Sequence, residues 1–208
     1  MHYSGIREYD VANGPGVRVS LFVSGCENKC KGCFQPETWN PKFGKEFTED
    51  TMQKIFELMD KPYIDGITIL GGDPFYPANR KPVSEIVTKI KNRFKGNKTI
   101  WLYTGYKLEE LVSDMYMAIK YKIPISDILG SIDYLVDGKF IESKKDLRLQ
   151  FRGSSNQRLI DMNNTVITRN EIKIYHKLNL SDDTYIIDTV KIDVDSCKWF
   201  FITHTTYR

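Results

Sequence analysis

Residues 17–33 read VRVSLFVSGCENKCKGC and decide the fold. The odd-numbered residues from 17 to 23 are Val, Val, Leu and Val, and this period of two is typical of a β-strand. Residues 13–16, Asn-Gly-Pro-Gly, form a turn signal just before it. We therefore predict a strand that ends near Gly25 and leads directly into a cysteine-rich loop.

Helical and strand-like patterns alternate downstream of this loop. Apolar residues within 52–59 recur at i, i+3, i+4 and i+7, which predicts an amphipathic helix with Thr48 as its N-cap. The further predicted elements are a strand over 67–70, a helix over 83–94, a strand over 99–103, a helix over 108–115 and a strand over 132–136. Such alternation is typical of βαβ units. We expect an α/β fold, a partial and open (βα) barrel with a mainly parallel sheet, because the chain is too short for an eight-fold barrel.

The pattern changes after about residue 160. Residues 171–175, 184–194 and 198–203 are β-prone, and polar turns such as 181–183 separate them. We therefore predict a partial barrel over residues 1–160 and a small C-terminal β-rich appendage over residues 161–208.

Composition excludes several classes of protein. The chain has 208 residues, 41% of them hydrophobic, which is typical of a globular protein. A net charge of +3 favours neither a nucleic-acid partner nor a membrane surface. No apolar run approaches the roughly 18 residues of a membrane-spanning helix, and the first residues lack the layout of a signal peptide. A cytoplasmic location is the expectation.

Cys26, Cys30 and Cys33 form a C-x3-C-x2-C motif, whereas Cys197 stands apart. In a reducing compartment, clustered cysteines indicate metal or redox chemistry more often than disulfides. Three thiolates can hold three irons of a 4Fe–4S cluster and leave the fourth iron open to a small molecule. The motif therefore predicts one such cluster with an open coordination site.

Other interpretations of the cysteines remain open at this point. A structural zinc site needs four Cys or His ligands, and only Cys197 and three scattered histidines are available to complete one. A redox dithiol would not need the third cysteine. A non-catalytic iron–sulfur redox module would normally fill all four iron positions with protein ligands.

Several further blocks accompany the motif, and together they are similar to a known family. They are residues 14–26, residues 31–39, GGDP at 71–74, YTGY at 103–106, DYLVDGKF at 133–140 and FRGSSNQR at 151–158. Over roughly residues 5–160 the chain resembles the activating proteins of the anaerobic (class III) ribonucleoside-triphosphate reductase, within the radical S-adenosylmethionine superfamily.

The resemblance implies an enzyme that cleaves S-adenosylmethionine reductively at a 4Fe–4S cluster. The resulting 5′-deoxyadenosyl radical generates a glycyl radical on the partner, the anaerobic ribonucleoside-triphosphate reductase. A flavodoxin or a ferredoxin is the implied electron donor. The alternatives are an activase of another glycyl-radical enzyme and a small-molecule radical S-adenosylmethionine enzyme.

The resemblance also implies roles for individual residues. Cys26, Cys30 and Cys33 would hold the cluster. The residues implied to contact S-adenosylmethionine are Gly32, Cys33, Phe34, Gly71, Gly72, Asp73, Pro74, Tyr103, Thr104 and Gly105. Phe34 would stack on the adenine or simply pack under the loop, and Asp73 stands where the superfamily more often has Glu. Arg152 and Arg158 are expected to face solvent.

Overall fold

The computed structural model describes residues 1–118, 124–181, 184–193 and 198–207. Its helices are α1 (Glu49–Met59), α2 (Pro77–Phe94), α3 (Leu108–Ala118) and α4 (Ile125–Leu129), with short 3-10 turns at Pro36–Trp39 and Glu142–Lys144. Its strands are β1 (His2–Asp10), β2 (Arg18–Val23), β3 (Lys45–Glu46), β4 (Gly66–Gly71), β5 (Thr99–Tyr103), β6 (Tyr134–Asp137), β7 (Arg158–Asp161), β8 (Val166–Ile167), β9 (Glu171–Lys177), β10 (Tyr185–Asp193) and β11 (Lys198–Tyr207).

The described strands form one mixed, mostly antiparallel sheet. Its order is β11-β10-β9-β7-β6-β5-β4-β2-β1-β3, with β8 paired to β9. Parallel pairing is confined to β2–β4, β4–β5 and β5–β6, and the other pairs are antiparallel. The prediction of a partial (βα) barrel with a mainly parallel sheet is therefore wrong.

The connections explain why the sheet is mixed. Crossovers that contain helices join β2, β4, β5 and β6, and a parallel pair requires such a crossover. By contrast, β1 lies antiparallel on β2 across a short loop, and the chain beyond β6 returns without a helix. The antiparallel strands on both sides outnumber the parallel ones.

The predicted positions of individual strands and helices agree with the structure better than the predicted architecture does. The predicted strand after residue 17 is confirmed as β2, whose six residues are all buried. The predicted helix over 52–59 is confirmed as α1, and the Thr48 hydroxyl accepts a hydrogen bond from the Thr51 amide at 3.3 Å. The three β-prone segments near the C-terminus are confirmed as β9, β10 and β11. The N-terminal strand β1 was not predicted.

The two faces of the sheet have different surroundings. On one face, alternate residues of the central strands, such as Val19, Ile69 and Leu102, join apolar residues of the helices in the main hydrophobic core. The opposite face carries a smaller cluster centred on Trp101, Val136 and Leu159. A cavity opens on this second face, near the carboxyl ends of the parallel strands.

The predicted boundary between residues 1–160 and 161–208 stays a prediction, although β7 and β9 pair directly in the same sheet. Cys197 and residues 182–183 of the predicted polar turn lie outside the described residues. None of the helices in the described ranges has both the length and the apolar character needed to cross a bilayer.

Candidate cluster and cofactor site

The cysteine loop leaves the carboxyl end of β2 and is held by short-range backbone contacts. The amides of Gly25 and Cys26 donate to the carbonyls of Thr38 and Trp39, at 2.7 and 3.3 Å. The Cys33 amide donates to the Cys30 carbonyl at 3.1 Å, which closes a turn between these two cysteines. The loop is thus clamped between β2 and the 3-10 turn that follows it.

The three cysteines of the motif are free thiols and are half-buried. Burial, followed by the nearby Asp73 carboxylate, raises the pKa of the Cys26 thiol. Burial also raises the pKa of the Cys30 thiol. Thiolates are the metal-binding form of cysteine, so a bound metal centre is what would keep these sulfurs deprotonated.

The spacing of the thiols favours a cluster over a single zinc ion. A tetrahedral zinc site, with Zn–S bonds of about 2.3 Å, places its sulfur ligands about 3.8 Å apart. Within the described ranges, the one group of three or more potential metal ligands with atoms all within 4.8 Å of one another contains no cysteine. The three sulfurs are thus not all within 4.8 Å of one another, a spread that a cubane of four irons accommodates because it binds ligands at separate corners.

A cavity of about 370 Å³ opens beside the cysteine loop, within the range of small-molecule sites. The structure brings most of the predicted site residues to its wall: Cys26, Cys30, Cys33, Phe34, Gly71, Gly72, Asp73, Tyr103, Thr104 and Gly105. Gly32 and Pro74 are not among the lining residues. The carboxyl ends of β2, β4 and β5 thus meet at one ligand-sized space, as expected for neighbouring parallel strands.

The Asp73 carboxylate ties three parts of this wall together. Its Oδ1 accepts hydrogen bonds from the Phe75 amide and the Thr104 hydroxyl, both at 2.9 Å. Its Oδ2 accepts from the Asn28 side chain at 2.9 Å and from the Gly105 amide at 3.0 Å. Burial raises the pKa of Asp73 to about 6, so the group is ionised at neutral pH and the four hydrogen bonds are charge-assisted. This carboxylate holds the cysteine loop against the ends of β4 and β5.

Two aromatic residues of the predicted site differ in exposure. The Phe34 side chain lies at the mouth of the cavity and is 92% exposed, so it does not pack under the loop. The Tyr103 hydroxyl is buried and finds no hydrogen-bond partner, and burial raises the pKa of Tyr103. Because Tyr103 is a lining residue of the cavity, its unpaired hydroxyl is a candidate partner for a ligand.

The sequence did not reveal every residue of the wall. Residues added by the structure are Ala12, Asn13, Phe22, Asn28, Gln35, Trp39, Leu70, Gly138, Phe140, Leu149, Phe151, Arg152, Gly153 and Gln157. Many of them belong to the loop before β2 and to the segment between β6 and β7, which are distant in sequence from the motif. The blocks at 133–140 and 151–158 were the available signal for the second group.

The expectation that Arg158 faces solvent is wrong. Its side chain is only 16% exposed. Its guanidinium donates to the Asp137 carboxylate at 3.0 Å and to the Glu109 carboxylate at 2.9 and 2.6 Å. Arg152 is also half-buried, lines the cavity, and has a buried Nε without a hydrogen-bond partner.

Comparisons with known proteins agree with this geometry. The family described as "4Fe-4S single cluster domain" matches residues 12–160. A protein of enterobacteria phage T4 is 42% identical over 159 residues, which cover 76% of this chain and 93% of the relative. Proteins of Vibrio cholerae and Escherichia coli K12 are 40% and 38% identical, each over 76% of this chain and 96% of the relative. All three are named anaerobic ribonucleoside-triphosphate reductase-activating protein.

This chain belongs to the family of anaerobic ribonucleoside-triphosphate reductase-activating proteins. The match to the single-cluster domain supports an iron–sulfur cluster in the chain, and it spans both the cysteine loop and the cavity wall. The family match ends at residue 160, before β9, β10 and β11.

We expect Gly72→Ala to destabilise this site. A Cβ atom at residue 72 would lie 2.6 Å from the Gly25 carbonyl oxygen, which belongs to the backbone and cannot rotate away as a flexible side chain could. The expected loss is about 1–3 kcal/mol in the free energy of unfolding, together with lower iron content after reconstitution. Urea denaturation and iron analysis measure the two effects.

Gly5→Ala is the matched control for this substitution. A Cβ atom at residue 5 meets nothing within 4 Å, so this variant should keep both stability and iron. Equal behaviour of the two variants would show that the contact between residues 72 and 25 does not constrain the loop.

Proposed function

We propose that this chain is the activase of an anaerobic ribonucleoside-triphosphate reductase. In this proposal Cys26, Cys30 and Cys33 hold a 4Fe–4S cluster, and S-adenosylmethionine binds in the adjoining cavity. The observation that carries the proposal is the position of all three thiols on the wall of one cavity of about 370 Å³. The names of the relatives supply the partner.

The chemistry comes from the cofactors rather than from acid–base side chains. When bound and reduced, the cluster supplies the electron that cleaves S-adenosylmethionine to methionine and a 5′-deoxyadenosyl radical, which takes a hydrogen atom from a glycine Cα of the reductase. The chain itself binds, orients and shields the reacting groups. We expect it to work in the cytoplasm with a flavodoxin or a ferredoxin as electron donor.

The backbone at the end of β4 suits the amino-acid part of S-adenosylmethionine. Gly71 and Gly72 line the cavity without side chains, so a ligand can approach their backbone closely. The Gly72 amide already donates to the Val23 carbonyl at 2.7 Å, which leaves carbonyl oxygens as the groups that would accept from an amine. The Asp73 carboxylate already accepts four hydrogen bonds within the protein. We therefore assign the contact with the methionyl amine to the backbone of Gly71 and Gly72, and a positioning role to the Asp73 carboxylate.

The remaining wall offers a charge and aromatic surfaces. Arg152 is the one cation among the described lining residues, and its buried Nε is free to donate to an anionic group such as the methionyl carboxylate. Phe34, Phe140 and Phe151 offer flat apolar surfaces suited to an adenine ring. The Tyr103 hydroxyl is a further donor for the ribose.

The proposal is tested in two stages with anaerobically reconstituted protein. After addition of dithionite and S-adenosylmethionine, we expect 5′-deoxyadenosine and methionine in equal amounts. After addition of the reductase, we expect a glycyl-radical doublet by electron paramagnetic resonance. No cleavage by a fully loaded, reduced cluster would contradict the enzymatic assignment, and cleavage without a doublet would contradict the assignment of the partner.

A further inference from the structure

Three potential metal ligands meet on the last three long strands of the sheet. His176 lies on β9, Asp188 on β10 and His204 on β11. Asp188 is directly opposite His204 in the antiparallel register, and His176 pairs with the residue two positions before Asp188. One ligand atom from each of the three side chains lies within 4.8 Å of the other two.

The carboxylate stands between the two imidazoles. His176 Nε2 is 3.1 Å from Asp188 Oδ2, and His204 Nδ1 is 2.6 Å from Asp188 Oδ1. His176 and Asp188 are buried, whereas the side chain of His204 is 55% exposed. This group of three side chains is therefore buried at His176 and Asp188 and reaches solvent at His204.

A single arginine serves several carboxylates beside this group of side chains. Arg158 lies 3.6 Å from Asp188 and also contacts Glu109 and Asp137. One guanidinium thus faces three carboxylates. Buried carboxylates are stabilised by pairing or by metal coordination, so a cation beside Asp188 would add to the charge that Arg158 supplies.

We propose that His176, Asp188 and His204 form a binding site for one divalent transition metal ion of the zinc type. Two imidazoles and one carboxylate are a common ligand set for zinc and for non-haem iron, with the remaining positions taken by water. A divalent ion would add positive charge beside Asp188 and needs the imidazoles in their neutral form. The competing arrangement is a pair of protonated histidines without a metal.

The ligand separations suit such an ion after small movements. Bonds of about 2.0–2.2 Å from zinc to nitrogen and oxygen place neighbouring ligands of a tetrahedron about 3.4 Å apart. The two histidine–aspartate separations, 3.1 Å to Oδ2 and 2.6 Å to Oδ1, are hydrogen-bond distances shorter than this value, so the imidazoles must move away from the carboxylate for an ion to enter. His204 is the ligand that moves, because its exposed ring is the least confined.

This proposed metal site is separate from the iron–sulfur cluster, and its residues lie outside the family match. All three ligands follow residue 160, where the family match ends. Along β9 and β10, His176 and Asp188 share their face with Ile174 and Val190 of the main core, whereas the cavity adjoins the face that carries Tyr103. A metal bound here would join β9, β10 and β11, each through one ligand, and stabilise the C-terminal strands.

The test uses the full chain with its iron–sulfur cluster in place, so that the cysteines are occupied. Equilibrium dialysis against Zn²⁺ under anaerobic conditions, followed by metal analysis, should show one zinc ion per chain at saturation. X-ray absorption at the zinc edge should show nitrogen and oxygen ligands and no sulfur. Absence of saturable zinc, or a spectrum dominated by sulfur, would overturn the proposal.

Variants connect the bound zinc with these residues. His204→Ala and His176→Ala should each weaken zinc binding by at least about 100-fold, since even substitutions around the ligands of a metal site cost about 10–100-fold. His2→Ala is the matched control, because His2 is the third histidine of the chain and lies on β1. If His176→Ala fails to fold, the exposed His204 carries the test. Wild-type affinity in His204→Ala would refute the site.

Discussion

Cys30→Ala is expected to remove both the iron–sulfur cluster and the cleavage of S-adenosylmethionine. Cys30 lines the cavity and accepts a backbone hydrogen bond from Cys33, so it is central to the loop. With two thiols left, a cubane would lose one of its three protein ligands. We expect 5′-deoxyadenosine to fall to the level of a cluster-free sample, and the visible absorbance and iron content to fall with it.

The matched control for this prediction is Cys197→Ala, at the fourth cysteine of the chain, which stands outside the motif. This variant should keep the cluster and the cleavage. Circular dichroism separates loss of the cluster from loss of the fold, because the half-buried Cys30 is not part of the main core. A normal cubane in Cys30→Ala, or its loss in Cys197→Ala, would contradict the assignment of ligands.

Arg158→Met is expected to cause the largest loss of stability. The guanidinium makes hydrogen bonds to Glu109 and Asp137 and lies 3.6 Å from Asp188. Asp137 also accepts a hydrogen bond from the Leu108 amide at 2.8 Å, at the start of α3. Methionine fills similar space but leaves the carboxylates without their cation. Breaking a buried ion pair in this way costs about 3–5 kcal/mol.

Urea denaturation in the presence of a chelator measures this loss without any contribution from bound metal. Arg148→Met is the matched control, because the Arg148 side chain is 90% exposed and pairs with its near neighbour Asp146 at the surface. Exposed pairs contribute little to stability, so the control should unfold almost as the wild type does. Similar midpoints for the two variants would show that Arg158 is not a structural cation.

Local patterns in the sequence were sufficient to predict much of the secondary structure. The alternation before Gly25 predicted β2, and the spacing within 52–59 with Thr48 ahead of it predicted α1. A period of two identifies the buried face of a strand but not the direction of its neighbours. The antiparallel additions of β1 and of β7 to β11 depend on how short connections fold back, which the pattern does not encode.

Among the residues with an assigned or proposed role, some were predictable from the sequence and others were not. The three cysteines and Gly71–Gly72 were predictable because their chemistry shows in spacing and in position after a strand. Arg158 was not, since an arginine pairs with carboxylates that are distant in sequence, here Glu109 on α3 and Asp137 on β6. His176 and His204 are 28 positions apart, and only the register of three strands brings them together.

The pairing of β7 with β9 has a consequence for how copies of this chain meet one another. The outer backbone groups of β7 bond to β9 through the pairs of Leu159 with Lys177 and of Ile160 with His176. Without β9, the border of β7 would be unpaired, and an unpaired strand border is a template on which a second molecule can add its own strand. The C-terminal strands occupy that border from within the same chain, so the edge of the sheet that another molecule could meet lies at β11 instead of at β7.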